Sequence, residues 1–449
     1  MSRPTLLSLL ILLATGAPSA GVLAQTTTSQ DYPLKIRLSK GACYRIRVES
    51  RLEGTLPVPR PNSDAIERQI VFRGESSADY EERLLDVASD GSVPRTIRLY
   101  RILKYRRNLD RQVQEGMLRS QVRRLIVVRK EHEEVPFSPD GPLTWGEIDM
   151  VRTDVFYPAL AGLLPDRNAA AGESWIANAD AVRELTDLEK ITEGQVRCTL
   201  QRVLVQDGKP MAQISLNGRV AGLSEDGPGQ HQLTGHLFFD LERHSIAYLS
   251  LNAQQTIPAS KDGRIHGHVS GVFTLTCVPC ACPEELNDRA LAHLRSEPDE
   301  FNTRLLFDEP ALGLRFVYPR RWTVRKAEDR QVVLHEPEGA GLRITLLPTR
   351  DVPTVAQLQS QVDAWLKSKG ARIEHFEPAR YLAVAQADRL AWHVQMEGAA
   401  SVLLYLRLSQ GQRSAIFVAR LPARSSAALE PQVVEIARTL ELRAPTSPR

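Results

Sequence analysis

Three cysteines within six positions, Cys277, Cys280 and Cys282, are the residues of this chain most concentrated for covalent chemistry. Cys277-Val278-Pro279-Cys280 follows an apolar strand pattern, and Pro283 opens a segment whose leucine spacing predicts a helix. A Cys-X-X-Cys pair at a helix N-terminus has a lowered thiol pKa, because the helix end and neighbouring amides stabilise the thiolate. That placement suits redox exchange, and Cys282 suits disulfide shuffling or metal binding as well. The plainer use is a structural disulfide at an interdomain junction. Cys43 and Cys198 bring the total to five, too few for a disulfide scaffold. An odd count leaves at least one thiol free or bridged to another molecule.

Histidine and arginine supply two further candidates. His231, His236, His244, His266 and His268 fall within one stretch, and His266-Gly267-His268 on a strand projects both rings to one face, a spacing zinc can use. Ile265, Val269, Phe273 and Leu275 make up the apolar face, which leaves His266 and His268 on the wetted side as surface residues. Residues 95–130 hold twelve Arg or Lys, Arg98, Arg101, Arg106, Arg107, Arg123 and Arg124 among them, against only Asp110 and Glu115. Alternation with Ile97, Leu99, Leu125 and Val127 predicts strands with a basic outer face. Such a face attracts phosphates, sulfated or uronic glycans, or anionic lipid headgroups. The plainer alternative is a solvated face balanced by acidic loops elsewhere.

These residues sit in a pattern that is mainly antiparallel β up to residue 280. Leu34, Ile36 and Leu38 alternate with polar residues, Lys40-Gly41 turns, and Tyr44, Ile46 and Val48 resume the alternation. Asp-Gly pairs at 90–91, 140–141, 207–208, 226–227 and 262–263 supply the positive φ of tight turns. A Pro/Gly-rich passage at 135–142 divides the region into β-rich subdomains at 25–140 and 141–280, two curved sheets able to share one continuous sheet. Short helices are expected at 155–164 and 181–188, the second capped by Asp180. Residues 281–300 read as a helical linker, with Leu286, Leu291 and Leu294 on one side.

From 301 to 443 the pattern becomes α+β, with Val355, Leu358, Val362, Trp365 and Leu366 at helical spacing, capped by Thr354 and stopped by Gly370. Leu429, Val433, Ile436 and Leu440 repeat it, and strands are expected at 390–396, 401–408 and 413–420 between the two helices. Leu314-Arg315-Phe316-Val317-Tyr318-Pro319-Arg320-Arg321-Trp322 and the element order over 312–442 resemble the PsbP-like family. The resemblance implies an α/β/α sandwich around an antiparallel sheet and an extracytoplasmic accessory or binding role, with no shared catalytic residues. Trp322 is read as a core plug. The Cys-X-X-Cys placement is similar to that of thioredoxin-like proteins, but a meander precedes it where they alternate strands and helices. Residues 31–280 are similar in rhythm to exported β-rich bacterial proteins and to curved-sheet lipoprotein carriers.

Residues 1–24 read as an export signal: Arg3, the apolar run Leu6–Leu13, and a small-residue cleavage site ending at Ala24. That run is too short to span a bilayer. The expected product is exported, periplasmic or secreted, and not membrane-spanning. The formal net charge of +3 excludes little by itself, and 42% hydrophobic with 25% charged residues is ordinary for a globular chain. No nucleophile elbow, phosphate loop, dinucleotide fingerprint or zinc-helix motif occurs, so no enzyme class and no cofactor is indicated. The expected function is a non-enzymatic binding or scaffold protein whose basic β face takes an anionic polymer or amphipath. Two alternatives stand beside it: a thiol-redox or metal-binding protein, and a periplasmic lipid carrier. The partner is an anionic polymer, a lipid or another envelope protein, and not nucleic acid.

Overall fold

The computed structural model describes residues 30–59, 66–110, 112–130, 133–225, 227–258 and 266–446. The expected export segment 1–24 and the Asp-Gly pair at 262–263 lie outside the described residues, as does Asp226. Alternating apolar residues make strands, and here the strands are long. Up to residue 137 they are β1 (Asp31–Tyr32), β2 (Cys43–Pro59), β3 (Ile66–Asp86), β4 (Arg95–Leu109), β5 (Gln112–Met117), β6 (Arg124–Lys130) and β7 (Glu133–Phe137). After it come β8 (Ala169–Ala170), β9 (Ser174–Ile176), β10 (Lys190–Gln206), β11 (Lys209–Ser224), β12 (Gly227–Asp240), β13 (Ser245–Pro258) and β14 (His266–Cys280).

Twelve of them form one antiparallel sheet in the order β7-β6-β4-β3-β2-β14-β13-β12-β11-β10-β9, with β5 on β4. β10 to β14 follow one another as hairpins, and β14 then closes onto β2 with Cys280 opposite Cys43 and His268 opposite Thr55. One sheet therefore crosses the Pro/Gly-rich passage. At the β10–β11 hairpin Asp207 and Gly208 both take positive φ, 49° and 78°, which matches the twist of the flanking strands.

The inward face carries Ile46, Val48, Tyr80, Leu216, Leu237, Leu249 and Leu275. It packs on residues 143–188, which fold as α1 (Trp145–Arg152), a 3-10 turn over Tyr157–Leu163 and α2 (Ala179–Thr186). α1 is held by a capping box between Thr144 and Glu147. α2 is capped by Asn178 rather than the expected Asp180, since the Asn178 side chain accepts from the Asp180 amide at 2.8 Å. Asp180 instead sits in the first turn, where its charge faces the positive helix end.

Residues 281–300 are not the expected continuous helix. They contain a 3-10 turn at Glu284–Leu286 and one short helix, α3 (Asp288–Leu291). Asn287 separates the two by capping α3, its side chain accepting from the Ala290 amide at 2.9 Å. The segment lies as a strap on the outer face of the sheet, with Leu286, Leu291 and Leu294 against Ile97, Ile126, Val128 and Phe137.

The C-terminal part holds β15 (Leu305–Glu309), β16 (Leu314–Tyr318), β17 (Thr323–Glu328), β18 (Gln331–His335), β19 (Gly341–Pro348), α4 (Val355–Ser368), β20 (Arg372–Leu382), β21 (Ala387–Met396), β22 (Ala399–Gln410), β23 (Arg413–Pro422), α5 (Ser426–Arg438) and β24 (Glu441–Leu442). Its main sheet is antiparallel, β17-β18-β19-β23-β22-β21-β20. α4 covers one face through Leu358, Val362 and Leu366 packed on Trp392 and Tyr405. α5 covers the other through Leu429, Val433 and Ile436, which join Phe417 and Leu404. The expected α+β sandwich is what forms. Trp322 is buried, with Nε1 donating to Gln432 at 2.8 Å. The Leu306 amide donates to the Leu143 carbonyl at 2.7 Å and Arg320 donates to the Pro136 carbonyl at 2.8 Å, tying the two parts together.

Candidate functional site: a basic groove on the sheet

On the outer face, strands β13, β14, β2, β3 and β4 run past the strap with nothing described lying over them, and side chains of alternate residues line a concavity of about 590 Å³. Strand pairing builds it row by row. Arg51 stands opposite Glu75 and Val272, and Glu75 opposite Arg106. In the next row Glu53 stands opposite Arg73 and Ser270, and Arg73 opposite Asn108. Asn252 and Gln254 continue the rows on β13. All of these residues lie within the lining of the concavity.

Arg51, Arg73 and Arg106 are exposed, and none makes an ion pair or side-chain hydrogen bond with a described residue. Elsewhere on the same face arginines are spent on neighbours. Arg45 grips Asp79 at 3.0 and 2.9 Å, Arg47 reaches the same carboxylate at 3.1 Å, and Arg101 holds Glu81 at 2.8 Å. The groove thus offers three planar donor forks beside four amide or hydroxyl groups. Chemically, such a set can pair with carboxylate or sulfate in two-point fashion and with hydroxyls alongside.

Of the arginines singled out from sequence, Arg106 alone lines this groove. Arg98, expected on the outer face, is completely buried on the inward one. Both faces of the sheet are covered there, outside by the strap and inside by residues 143–188, so alternation with apolar residues did not reveal which side was wet. Arg98 donates to Glu82 at 2.8 Å, to the Tyr100 hydroxyl at 3.0 Å and to Asp154 at 3.3 Å. Arg101 is paired as above, and Arg107 lies over the Tyr105 ring at 4.4 Å. Arg123 is exposed, while Arg124 is half-buried and donates to Asp140 at 2.9 Å. Arg51 and Arg73 sit on β2 and β3, outside the dense basic run, and were missed because only β-pairing brings them to Arg106.

The thiols are arranged otherwise than expected. Cys277 and Cys280 both lie inside β14, three residues apart, and therefore point to opposite faces. No helix N-terminus is offered to either. Cys277 is buried inward, and burial pushes its thiol well above the usual range, as it pushes Cys198 up to about 12. Cys282 forms a disulfide with Cys43, while Cys280 is free and exposed.

His268 is exposed on β14, and the side chain of His266 lies outside the described residues. Among the described residues no group of three or more His, Cys, Asp or Glu is placed to hold a metal ion. His231 is buried, and desolvation lowers its pKa. No described helix is long and apolar enough to cross a membrane.

No protein-family model matches the chain, and no curated protein matches it in sequence. Solved structures similar to it in shape cover 31% of the chain. The PsbP of the cyanobacterium Synechocystis sp. PCC 6803 is 13% identical, with 92% of its own length covered and a TM-score of 0.25. The Ran-binding protein Mog1p of Saccharomyces cerevisiae is 13% identical, with 95% covered and a TM-score of 0.23. A protein of Bacteroides thetaiotaomicron is 17% identical, with 48% covered and a TM-score of 0.23.

Proposed function

We propose that this chain is an exported, non-enzymatic binding protein that holds an acidic polysaccharide in the groove formed by β13, β14, β2, β3 and β4. The observation that carries the reading is three exposed guanidiniums, Arg51, Arg73 and Arg106, unpaired among the described residues and converging on one concavity with Asn108, Asn252 and Gln254. Guanidinium forks match carboxylate and sulfate, and amide side chains match the hydroxyls of a sugar. Glu53 and Glu75 lie between the arginines and disfavour a dense polyanion, which suits a polymer whose charges are spaced by neutral rings. An open groove of this kind accepts a chain that continues past both ends.

Tyr157, Leu160, Leu163 and Val182 pack into the central part of the inward face, where a lipid carrier would need an empty interior. The test is binding of a polyuronate, with a neutral glucan as control. Arg73→Ala is expected to weaken polyuronate binding several-fold, since one exposed charged contact carries on the order of 1 kcal/mol. Arg123→Ala, outside the groove, is expected to leave it unchanged. Equal binding of polyuronate and glucan, or equal loss in both variants, would contradict the reading.

A further inference from the structure

Cys280 is the direct cross-strand neighbour of Cys43, whose sulfur is already bridged to Cys282 two residues beyond. Cys43 and Cys280 belong to the outward set of their strands, since Tyr44, Ile46, Leu275 and Cys277 form the inward one. Residues directly opposite in an antiparallel pair hold their Cβ atoms roughly 4.5–5.5 Å apart, within a side-chain rotation of disulfide contact. Three sulfurs are therefore gathered at one spot, two bonded and one free and exposed.

We propose that Cys43, Cys280 and Cys282 form a thiol–disulfide exchange centre that controls the strap. The Cys280 thiolate attacks the Cys43 sulfur; the Cys43–Cys282 bond breaks as the Cys43–Cys280 bond forms. Cys282 leaves as a thiolate and takes up the proton that Cys280 released, so one disulfide and one thiol remain and no outside oxidant or reductant is consumed. Arg45 and Arg101 favour the attacking thiolate, while burial and Glu81 oppose it and hold the thiol above its usual range. Exchange is accordingly slow at neutral pH and quickens as pH rises.

The consequence lies in what Cys282 anchors. In the bonded state it fixes the start of the strap to the sheet. The strap is held otherwise by Arg83 donating to the Leu286 carbonyl at 2.6 Å, by ion pairs of Arg83 with Asp288 and of Arg95 with Glu297, by Arg95 donating to Ser296 at 2.9 Å, and by Leu286 packed into the outer apolar cluster. Beneath it a cavity of about 180 Å³ remains between Leu291 and Leu294 and the Ile97 and Ile126 of the sheet, so the seat is incompletely filled. With the bridge moved to Cys43–Cys280, the strap loses its covalent anchor and is left to these non-covalent contacts, so it opens more often from the apolar face formed by Ile97, Ile126, Val128 and Phe137.

The test uses the full chain, held without added oxidant at pH 7 and pH 8.5, quenched in acid and alkylated, with fragment spectra locating the bridge. The expected result is a Cys43–Cys280 fraction in which Cys282 is alkylated, appearing about tenfold faster per unit of pH below the thiol pKa. A chain that shows only Cys43–Cys282 at both pH values, while native Cys280 accepts iodoacetamide, overturns the proposal. Hydrogen exchange tests the second half. Amides of 284–294 are expected to lose protection in Cys282→Ser and to keep it in Cys280→Ser; equal protection in both variants would refute strap control.

Discussion

At the scale of single residues the most consequential group is the buried one around Arg98. Its guanidinium meets Glu82, Tyr100 and Asp154, and stands 5.0 Å from the Tyr80 ring centre. Removing it strands two buried carboxylates, so Arg98→Met is expected to cost about 3–5 kcal/mol in urea denaturation. A loss below about 1 kcal/mol would mean that the carboxylates simply protonate. Nearby, burial pushes the Glu134 carboxyl up to about 7, opposed by Arg98 and Arg129 and aided by Glu184. Burial likewise pushes Asp154 up to about 6. Both folded-state values lie above the unfolded ones, so the native chain binds more protons between roughly pH 4 and 7. The stability these groups contribute is complete below that window and is lost as pH rises through it. Glu134→Gln is expected to flatten the decline between pH 5 and 8 in thermal melts; an unchanged profile would place the titration elsewhere.

At the scale of elements, local patterns were legible where one element settles its own fate. α4 was readable because Thr354 caps a run of apolar residues at helical spacing and Gly370 stops it; the structure adds a capping box between Thr354 and Gln357. Thr354→Ala is expected to cost about 1 kcal/mol in denaturation, and no change would show that the cap is dispensable. The strap was misread because leucine spacing suggested a helix, while burial of Leu286 and the Asn287 cap break it into two turns. Leu286 is fully buried, so Leu286→Ala is expected to cost about 2–5 kcal/mol, measured in the same way. A loss near zero would mean that the outer apolar cluster contributes little.

At the scale of the molecule, the fold class was legible and the candidate site was not. Strand alternation and turn residues announce a β meander, but they do not say that β14 returns to β2 and joins two halves into one sheet. That long-range pairing places Arg51, Arg73 and Arg106 side by side, and it also allows the Cys43–Cys282 bridge across 239 residues. Arg98 was mistaken for a surface cation for the same reason, since its burial depends on two covers distant in sequence. If the reading proposed above holds, the groove arginines act together on an acidic polymer. Polyuronate binding would be measured for the parent chain and for the Arg51→Ala, Arg73→Ala, Arg106→Ala triple variant, each titrated across a range of salt. Parent-chain binding is expected to weaken steeply as salt rises, and the variant to lose both the affinity and the salt dependence while melting at an unchanged temperature. Equal binding and an equal salt response in the two proteins would contradict it.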